Sequence, residues 1–509
     1  MQIGSIADVY HFTFFLLKHE GVKFRRGKQI DERETIVRCG PLKPCTKVSR
    51  ERVTKRMKGH TIKHMRNIFK SYDIRGIYPT EINKEIVYNV GRATVQYLRA
   101  GRIAIATDNR ASSPELTMAL TKGVTEAGAD VVSLGLLSTP MLYFASARLG
   151  VGGAIMITAS HNPGEYNGLK VCGKNAVPIG LSGGLADIRD IALAGNFSPA
   201  TKSGSIKTHD IKNEYSAYIA SFADLDGKNF RVITDTAHAM GVLELPILRG
   251  LNGISLVRSL YDTLEPPGTC PHEANPLKTD TLNELEVAVR ELNADIGIAY
   301  DGDADRVGFV DEHGEPVPMD FITALLAEVL LAKNPGATIL YDLRSSQSVK
   351  ERIETLGGIA HECMVGHANI KKQMVAEGAL FAGELTGHYY FSVAGYTAEM
   401  GTLPAILLMN LMAKTGKKLS ELVASLRKYH HSGEINLHAK NIPELLKKVR
   451  ECYCDGKLSE LDGIKISYPD WWFSLRASNT EPLIRLNLEG NTRELMEAKK
   501  KEVLNLITN

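Results

Sequence analysis

Three short polar segments carry groups that can transfer phosphate, and they follow one another in a fixed order along the chain. Residues 158–170 read TASHNPGEYNGLK and offer the hydroxyl of Ser160 on a tight polar loop. Residues 301–306 read DGDADR and offer three carboxylates at alternate positions, whereas residues 476–482 read RASNTEP and offer an arginine followed by hydrogen-bond donors. A nucleophile, a set of metal ligands and an anion-binding loop together indicate phosphoryl transfer to or from a small anionic substrate.

The first segment places a serine where the chain must turn. Ser160 follows an apolar strand predicted at Gly153–Ile157 and precedes a Pro-Gly pair that forces a turn. A serine hydroxyl is a weak nucleophile unless a base or metal activates it, and His161 is adjacent while Lys170 lies where the loop returns. An ordinary serine turn is the commoner explanation for such a residue alone, but TASHNP followed by GLK favours a catalytic serine.

The second segment concentrates negative charge directly after a predicted strand, IGIAY. Alternate residues of an extended segment face the same side, so its carboxylates converge and require a cation. Their hard oxygen ligands favour Mg²⁺ over zinc, and Arg306 adds a positive charge beside them. A solvated acidic turn or a calcium loop are the alternatives, but Val307–Val310 is typical of a strand rather than an EF-hand helix. The predicted ligands are Asp301, Asp303 and Asp305.

A fourth segment, GELTGH, follows a strand predicted at Ala379–Ala382. Glu384, Thr386 and His388 alternate along it, so they share one face, and the flanking glycines let the backbone approach a ligand. A carboxylate and a hydroxyl in this arrangement suit the hydroxyl groups of a sugar. Taken alone the motif is weak, and a turn with a capping glutamate is its default explanation.

The RASNTEP segment supplies a guanidinium, hydroxyls, an amide and backbone N–H groups that match the oxygens of a phosphate. Its predicted anion-binding residues are Arg476, Ser478, Asn479 and Thr480, with Arg485 on the strand that follows. A surface turn is the alternative. Near the start of the predicted ordered body the segment YDIRG contains Tyr72 and Arg75; Arg75 either faces the same cleft or forms a structural ion pair, and the residues alone favour neither.

Composition excludes several other classes of protein. The net charge of +3 is uneven, because residues 1–64 hold 15 Lys+Arg and 6 Asp+Glu whereas the remainder is slightly acidic, which does not suggest a nucleic-acid binder. The seven cysteines show no CxxC pairing, which argues against zinc or disulfides and fits a reducing cytoplasm. No apolar run reaches the roughly 18–20 residues that a bilayer crossing needs. The apolar patch at Phe12–Leu17 has neither the basic flank nor the cleavage site of a signal peptide.

The elements that must position these segments recur along the chain. A strand, a helix and a second strand are predicted three times, which indicates three related α/β domains. The predicted elements are Arg102–Thr107, Glu115–Gly128 and Asp130–Leu136; Phe230–Asp235, His238–Leu248 and Gly253–Leu260; and Ala337–Asp342, Ser346–Leu356 and Ile359–Val365. From about residue 428 the pattern changes to strands with helices at Ile442–Cys452 and Thr492–Leu506, which predicts a small α+β domain.

YDIRG, TASHNP, DGDADR, GELTGH and RASNTEP resemble, in order and approximate spacing, the motifs of the α-D-phosphohexomutase family on its phosphomannomutase/phosphoglucomutase branch. The resemblance covers about 65–509. It implies an α/β fold of three similar domains and a smaller C-terminal α+β domain around a central cleft. The implied parts are a phosphoserine domain at 65–208, a metal-binding domain at 209–315, a sugar-binding domain at 316–427 and a phosphate-binding domain at 428–509. Residues 1–64 have no counterpart in the resemblance; their basic composition predicts a flexible or loosely docked extension, with a tail for nucleic acid or an acidic partner as the alternative.

The resemblance also implies roles for single residues. Ser160 would carry the phosphoryl group, and Mg²⁺ would be held by that phosphoserine with Asp301, Asp303 and Asp305. The implied catalytic residues are Ser160, His161, Lys170, Arg75 and His388. The implied substrate-binding residues are Tyr72, Arg306, Arg344, His367, Glu384, Thr386, Arg476, Ser478, Asn479, Thr480 and Arg485. Two departures stand out: Leu385-Thr386 replaces the usual methionine-serine of the sugar loop, and His238-Ala239 replaces an Asn-Gly type of turn.

The implied reaction interconverts hexose 1-phosphate and hexose 6-phosphate, of mannose or glucose. Phospho-Ser160 would give its phosphoryl group to the substrate, forming a hexose 1,6-bisphosphate that also serves as activator, and would recover the other phosphate after the intermediate turns over. A phosphoglucosamine mutase, a metal-dependent sugar phosphatase and a non-catalytic sugar-phosphate sensor are the alternatives. The expected partner is a small sugar phosphate rather than nucleic acid or a membrane, and the sequence predicts no oligomeric state.

Overall fold

The computed structural model describes residues 67–438, 441–477 and 483–508, and within these residues the longer strands form four sheets. The N-terminal extension and three residues of the predicted anion-binding loop, Ser478, Asn479 and Thr480, lie outside the described residues. Each sheet belongs to one domain, so three α/β domains precede a smaller C-terminal domain, which confirms the predicted fold class. The predicted domain limits stay predictions.

The first domain is built on a six-stranded sheet covered by helices. Its strands are β1 Ile74–Ile77, β2 Arg102–Thr107, β3 Asp130–Leu136, β4 Gly153–Ile157, β5 Tyr166–Gly173 and β6 Ile206–Thr208, in the order β1-β5-β4-β2-β3-β6. Its helices are α1 Lys84–Leu98, α2 Ser113–Glu126, α3 Thr139–Arg148 and α4 Leu185–Ala194, with 3₁₀ turns at Lys174–Ala176 and Leu181–Gly183. The predicted strands at β2, β3 and β4 are confirmed. Helix α2 begins earlier than predicted because Pro114 suits its first turn, and left-handed Gly128 lies just beyond its end.

The second domain has a four-stranded sheet. Its strands are β7 Phe230–Asp235, β8 Ile254–Leu260, β9 Ile296–Tyr300 and β10 Val307–Val310, in the order β10-β9-β7-β8. Its helices are α5 Lys212–Ala220, α6 Leu245–Arg249 and α7 Asn283–Glu291, with 3₁₀ turns at Met240–Leu243 and Thr279–Leu282. The single helix predicted at His238–Leu248 is wrong: Ala237 and His238 have positive φ, which no right-handed helix can continue, so a 3₁₀ turn and a short helix follow instead.

The third domain has a five-stranded sheet. Its strands are β11 Thr338–Asp342, β12 Ile359–Cys363, β13 Phe381–Gly383, β14 Tyr389–Val393 and β15 Tyr396–Glu399, in the order β12-β11-β13-β14-β15. Its helices are α8 Met319–Lys333, α9 Gln347–Thr355, α10 His367–Glu377, α11 Leu403–Thr415 and α12 Leu419–Ala424. The side chain of Ser346 caps α9 by accepting from the backbone N–H of Ser348 at 3.2 Å, which sets the start of that helix.

The C-terminal domain is a mainly antiparallel sheet with two helices. Its strands are β16 His430–His431, β17 Ile435–His438, β18 Lys457–Ser459, β19 Ile464–Ser467, β20 Trp471–Ala477 and β21 Leu483–Gly490, and its helices are α13 Ile442–Cys452 and α14 Arg493–Thr508. The sheet order is β16-β21-β20-β19-β18, with β17 also paired to β21. The helix predicted at Ile442–Cys452 is confirmed. Buried Phe473, Leu475 and Leu486 form part of a separate core beneath the helices.

The three α/β domains repeat one strand topology. In each, the first strand of the repeat is central, the second and third strands run parallel to it on either side, and a fourth strand pairs antiparallel with the third. The repeats are β2-β3-β4-β5, β7-β8-β9-β10 and β11-β12-β13-β14. This confirms the structural repeat predicted from the sequence. It also gives TASHNP, DGDADR and GELTGH equivalent positions, because each connects the third strand of its repeat to the fourth.

One hydrophobic core holds the three repeats together. It runs without a break from helix α3 of the first domain, through strand β9 of the second, to helices α8 and α11 of the third, where the larger part of α11 is buried. Residues such as Leu142, Ile298, Leu325 and Leu408 belong to this one cluster and are fully or almost fully buried. Burial of this continuous apolar surface fixes the three equivalent loops relative to one another.

Candidate active site

The serine loop is held in an unusual backbone conformation next to the acidic loop. Ser160 is buried and has a φ of +52°, a left-handed conformation that non-glycine residues seldom adopt. Its Oγ donates to Asp301 Oδ2 at 2.8 Å and lies 3.2 Å from His161 Nδ1. The structure therefore places the predicted nucleophile against a predicted metal ligand that is 141 residues away in sequence.

The three aspartates of DGDADR converge as the alternation predicted. Their carboxylate oxygens lie within 4.8 Å of one another and all three residues are buried. Burial, reinforced by the charges of the other two aspartates, raises the pKa of Asp301 to about 7. Oδ1 of Asp303 is buried without a hydrogen-bond partner, so the donor set fits a hard divalent cation such as Mg²⁺.

Lys170 reaches the same carboxylates. Its Nζ donates to Asp303 Oδ2 at 2.6 Å and to Asp305 Oδ2, and the side chain is almost fully buried. Burial by itself would lower the pKa of Lys170, but the aspartate charges outweigh it and the pKa is raised. A permanent ammonium charge therefore stands at the position where the serine and acidic loops meet.

Two histidines in the cleft have opposite charge preferences. Burial and the charges of Arg306 and Arg75 lower the pKa of His161 well below its usual value, so its imidazole is neutral. Burial also disfavours the charged form of His388, but contacts with Asp305 at 3.3 Å and Glu384 at 2.9 Å raise its pKa to about 9. These two imidazoles therefore differ in charge, and burial lowers the pKa of His367, a third histidine of the cleft, well below its usual value as well.

The GELTGH loop lies directly beside this cluster. Thr386 Oγ1 lies 2.9 Å from His388 Nδ1, and Glu384 accepts from the hydroxyl of Tyr390 at 2.9 Å. Backbone pairing between Arg306 and His388 joins the loop to the acidic segment of the second domain. The predicted sugar loop and metal loop are therefore brought together by a direct contact between domains.

Aromatic and basic residues from the first and third domains close one side of the cleft. Arg75 donates to Asn162 Oδ1 at 2.6 Å and pairs with Asp73, so it steadies the serine loop as well as forming an ion pair. Tyr72 donates to the carbonyl of Val365 at 3.0 Å, and its ring meets the edge of His367 at a centroid distance of 5.5 Å. Both interpretations of Arg75 left open by the sequence are consistent with these contacts.

The remaining predicted basic residues meet at the boundary between the third and C-terminal domains. Arg344 is buried, pairs with Asp342 and donates to Glu434 Oε2 at 3.1 Å. Arg485 contacts the other oxygen of Glu434 at 3.2 Å, and Arg476 lies 3.8 Å from Asp462. Among the described residues, Arg476 and Arg485 therefore pair with acidic residues of their own domain and not with the loop of Ser160, and Glu434 links Arg485 to Arg344 of the third domain.

Several residues of the cleft were not predicted from the sequence. Arg110 holds the serine loop, Asp342 orients Arg344, and Glu434 links Arg344 to Arg485. A signal for two of them exists: an aspartate that ends or directly follows a predicted strand, with an arginine two residues later, occurs in both DNR at 108–110 and DLR at 342–344. Glu434 carries no comparable signal, because its partners lie 90 and 51 positions away.

Among the described residues, none of the helices combines the length and apolar character that a bilayer crossing requires.

Comparison with family models identifies a match for each part of the fold. The models are described as Phosphoglucomutase/phosphomannomutase alpha/beta/alpha domains I, II and III and the C-terminal domain, and they match residues 66–197, 213–314, 318–429 and 417–506 respectively. Together they span most of the chain in the order in which the four sheets occur.

Curated and solved proteins give the same result. A phosphomannomutase of Methanocaldococcus jannaschii is 37% identical over 449 residues, covering 86% of this chain and 97% of the relative. A phosphomannomutase of Escherichia coli strain K12 is 35% identical and covers 86% of this chain and 98% of the relative. The crystal structure of a phosphoglucomutase/phosphomannomutase family protein from Burkholderia thailandensis superimposes with a TM-score of 0.80 at 28% identity, covering 86% of this chain and 96% of that one.

Proposed function

This chain belongs to the phosphoglucomutase/phosphomannomutase family and is a hexose-phosphate mutase, and from that premise we propose that it moves phosphate between the 1- and 6-positions of a hexose through a phosphoserine at Ser160. The observation that carries the proposal is the 2.8 Å contact between Ser160 Oγ and Asp301, inside a buried cluster of three aspartates.

The proposed first step transfers the phosphoryl group from Ser160 to the free hydroxyl of a hexose monophosphate. The bond from phosphorus to Ser160 Oγ breaks, a new bond forms to the sugar oxygen, the sugar hydroxyl loses its proton and Ser160 Oγ regains one. Neutral His161, 3.2 Å from Ser160 Oγ, can accept or return a proton, whereas cationic Lys170 and His388 stabilise the negative charge on the transferring group. The reverse transfer from the other end of the bisphosphate restores phosphoserine.

Asp301, Asp303 and Asp305 would hold Mg²⁺ in this scheme. When bound, the ion would offset the charge of the transferring phosphoryl group. The residues themselves support this assignment, because the carboxylate oxygens of three buried aspartates lie within 4.8 Å of one another and Asp303 keeps a buried oxygen without a hydrogen-bond partner.

The sugar must bind in two opposite orientations, so its contacts have to serve both. We assign Glu384 and Thr386 to the sugar hydroxyls, with Arg344, His367 and Tyr72 nearby. Arg306, beside Asp301, is assigned to the substrate phosphate region. Arg476, Arg485 and residues 478–480 of the same loop would hold the phosphate that is not being transferred, and a trace of hexose 1,6-bisphosphate would activate the enzyme by phosphorylating Ser160.

Mannose phosphate is the proposed preferred substrate, with glucose phosphate as the second. The relatives from Methanocaldococcus jannaschii and Escherichia coli are named phosphomannomutase, which favours this order. Neither a phosphoglucosamine mutase nor a sugar phosphatase is favoured by the comparisons.

A direct assay tests the proposal. Purified protein with Mg²⁺ and a trace of hexose 1,6-bisphosphate is offered mannose 1-phosphate, glucose 1-phosphate and glucosamine 1-phosphate in turn, and each 6-phosphate is measured by a coupled reaction. Peptide mapping of the same sample should find phosphate on Ser160. Release of inorganic phosphate as the main product, or a phosphate on another residue, would refute the proposed reaction.

Removal of the Thr386 hydroxyl should weaken the hold on the sugar without stopping phosphoryl transfer. We expect the Thr386→Ala variant to raise KM by about 5- to 20-fold, the effect of losing one or two hydrogen bonds, with a smaller change in kcat. Thr386→Ser keeps the hydroxyl and is the matched control, for which KM should stay within about 3-fold of wild type. Steady-state kinetics with mannose 1-phosphate measure both, and an unchanged KM in Thr386→Ala would remove this residue from the sugar site.

A further inference from the structure

The loop that carries Ser160 is held from behind by one buried arginine. All five N–H donors of the Arg110 guanidinium are engaged: Nε donates to Asp108 Oδ2 at 3.1 Å, and the terminal nitrogens make four hydrogen bonds of 2.6–2.9 Å to backbone carbonyl oxygens. Those carbonyls belong to Ser160, Asn162, Pro163 and Tyr166.

The geometry of this contact suits backbone positioning and not substrate binding. Because the guanidinium is rigid and planar, its two outer nitrogens fix the direction of several carbonyl groups at once, which a lysine cannot do. The carbonyls of the loop point toward Arg110, while the Ser160 hydroxyl points to Asp301 on the metal loop. Arg110 therefore stabilises the left-handed conformation at Ser160, which would otherwise cost free energy.

The same carbonyl of Ser160 also sets the distance to the metal loop. A Cβ atom on Gly302 would lie 2.2 Å from that oxygen, so the serine loop and the acidic loop are in direct backbone contact. Arg110 donates to the carbonyl at 2.7 Å from the other side. Displacement of the carbonyl would change the distance between Ser160 Oγ and the aspartates. That distance sets where a phosphate on Ser160 would lie relative to the proposed metal ligands.

The residue before Arg110 extends this arrangement to the second domain. Asn109 Nδ2 donates to the carbonyl of His238 at 2.8 Å and to that of Glu265. Successive side chains of one short segment thus hold the phosphoserine loop of the first domain and the backbone of the domain that supplies the aspartates. Residues 108–110, with the sequence DNR, form this DNR segment.

The internal repeat places a segment equivalent to the DNR segment in the third domain. In the third domain, Arg344 follows Asp342 at the equivalent strand end, with the same contacts from its backbone N–H and its Nε to the aspartate. In the second domain the aspartate at this place, Asp235, pairs instead with His272 at 3.1 Å. Arg110 contacts its aspartate as Arg344 does, but its terminal nitrogens donate to carbonyls of the serine loop.

We propose that Arg110 is a positioning residue for phosphoryl transfer. It fixes the position of the phosphoserine loop relative to the metal loop by hydrogen bonds to four backbone carbonyls. The inference rests on the proposed phosphoserine at Ser160. It assigns to Arg110 an effect on the rate of transfer and on the lifetime of the phosphoserine, and no contact with the sugar.

Arg110→Lys is the decisive variant, since it keeps the positive charge beside Asp108 but loses the planar fork. We expect kcat to fall by about 100-fold, the typical effect of a misplacement near 1 Å, while KM stays within about 3-fold of wild type. Spontaneous loss of phosphate from Ser160, followed by intact mass after removal of bisphosphate, should quicken. Arg231→Lys is the matched control, because Arg231 also donates to two backbone carbonyls, those of Leu292 and Asn293, at the opposite end of its sheet.

Chemical rescue gives a second measurement. Arg110 lines a cavity of about 430 Å³ between the first and second domains, so millimolar guanidinium can reach the space left in an Arg110→Ala variant. We expect guanidinium to raise the kcat of Arg110→Ala by about 10-fold or more and to leave the kcat of Ser160→Ala unchanged. If Arg110→Ala does not fold, Arg110→Lys decides the matter.

The outcomes separate this inference from the proposed function. Absence of phosphate on Ser160 in active wild-type protein would overturn the proposed function itself. If wild type carries it, then a wild-type kcat in Arg110→Lys, a change confined to KM, or an equal loss in Arg231→Lys would overturn the role of Arg110.

Discussion

The Ser160→Ala variant is expected to lose hexose-phosphate interconversion almost completely, because no hydroxyl remains to carry the phosphoryl group. Loss of a covalent nucleophile commonly costs about 10⁴-fold or more in kcat, since the remaining groups cannot replace the bond it forms. Binding of the sugar phosphate should change little, because most of the predicted sugar and phosphate contacts are made by the third and C-terminal domains. Coupled kinetics measure the loss, and calorimetric titration with mannose 1-phosphate measures the retained binding.

A buried serine of the same domain supplies the control for this variant. Ser146 is fully buried and its Oγ accepts from the backbone N–H of Ala176 at 3.2 Å, on a helix that contributes to the core. We expect Ser146→Ala to keep wild-type kcat and to lose about 1–3 kcal/mol of stability, because its Oγ also donates to the carbonyl of Gly173 at 3.4 Å and buried partners are left unpaired. Turnover in Ser160→Ala above about 1% of wild type, or phosphate mapped to another residue, would contradict the role given to Ser160.

The Asp303→Asn variant is expected to show the second largest effect. An asparagine keeps the shape of the side chain and an acceptor for Lys170 at 2.6 Å but removes one negative charge, so Mg²⁺ should bind more weakly and the contact with Lys170 should no longer be an ion pair. We expect kcat at saturating sugar phosphate to fall by about 10³-fold, with the Mg²⁺ concentration for half-maximal activity raised by about 10-fold or more. Activity titrated against Mg²⁺ after treatment with EDTA measures both.

Asp311→Asn is the matched control for the metal variant. Asp311 is a buried aspartate of the same domain that follows the next strand, and its Oδ1 accepts from the backbone N–H groups of His313 and Glu315. An asparagine retains that acceptor, so activity and the Mg²⁺ requirement should stay near wild type. An Asp303→Asn enzyme with the Mg²⁺ dependence of wild type would show that this aspartate holds no metal.

The threefold repeat explains why three loops with different functional groups lie in one cleft. Each repeat presents the loop between its third and fourth strands at the same end of its sheet, and the continuous core brings the three ends together. The loops, which span 158–165, 301–306 and 384–388, differ in length and in the groups they carry: a hydroxyl at Ser160, carboxylates at 301–305, and a glutamate with a hydroxyl at 384–386. Proximity of the proposed nucleophile, metal ligands and sugar-binding groups thus follows from topology.

Strands were predicted from the sequence more closely than helices, because a short apolar run is enough to indicate a buried strand. The strands at Arg102–Thr107, Asp130–Leu136 and Phe230–Asp235 are runs of apolar residues bounded by polar ones, and a buried strand needs little else. The helix predicted at His238–Leu248 failed because the left-handed conformation at Ala237 and His238 depends on the neighbouring loop, where the N–H of Met240 bonds to the carbonyl of Gly302. That contact joins residues 62 positions apart, so local propensity could not reveal it.

The types of residue at the site were predictable, but their states were not. TASHNP, DGDADR and GELTGH predict Ser160, the three aspartates and Glu384 as site residues from their types and their order, and the structure brings these residues together. The sequence could not show that His161 is neutral whereas His388 is cationic, because both have the same intrinsic pKa and differ only in the charges packed around them. Arg110 was missed because a lone arginine after a strand has no motif until its four acceptor carbonyls, 50 to 56 positions away, are placed around it.

The sequence by itself determined the chemical groups, their order and the alternation that makes Asp301, Asp303 and Asp305 converge, because these depend on residue type and on the period of an extended chain. The tertiary structure alone decided that Ser160 Oγ lies 2.8 Å from Asp301 and that Arg110 holds the serine loop from behind. Those distances depend on the burial of a shared core and on contacts between distant segments, which no local pattern of residues encodes.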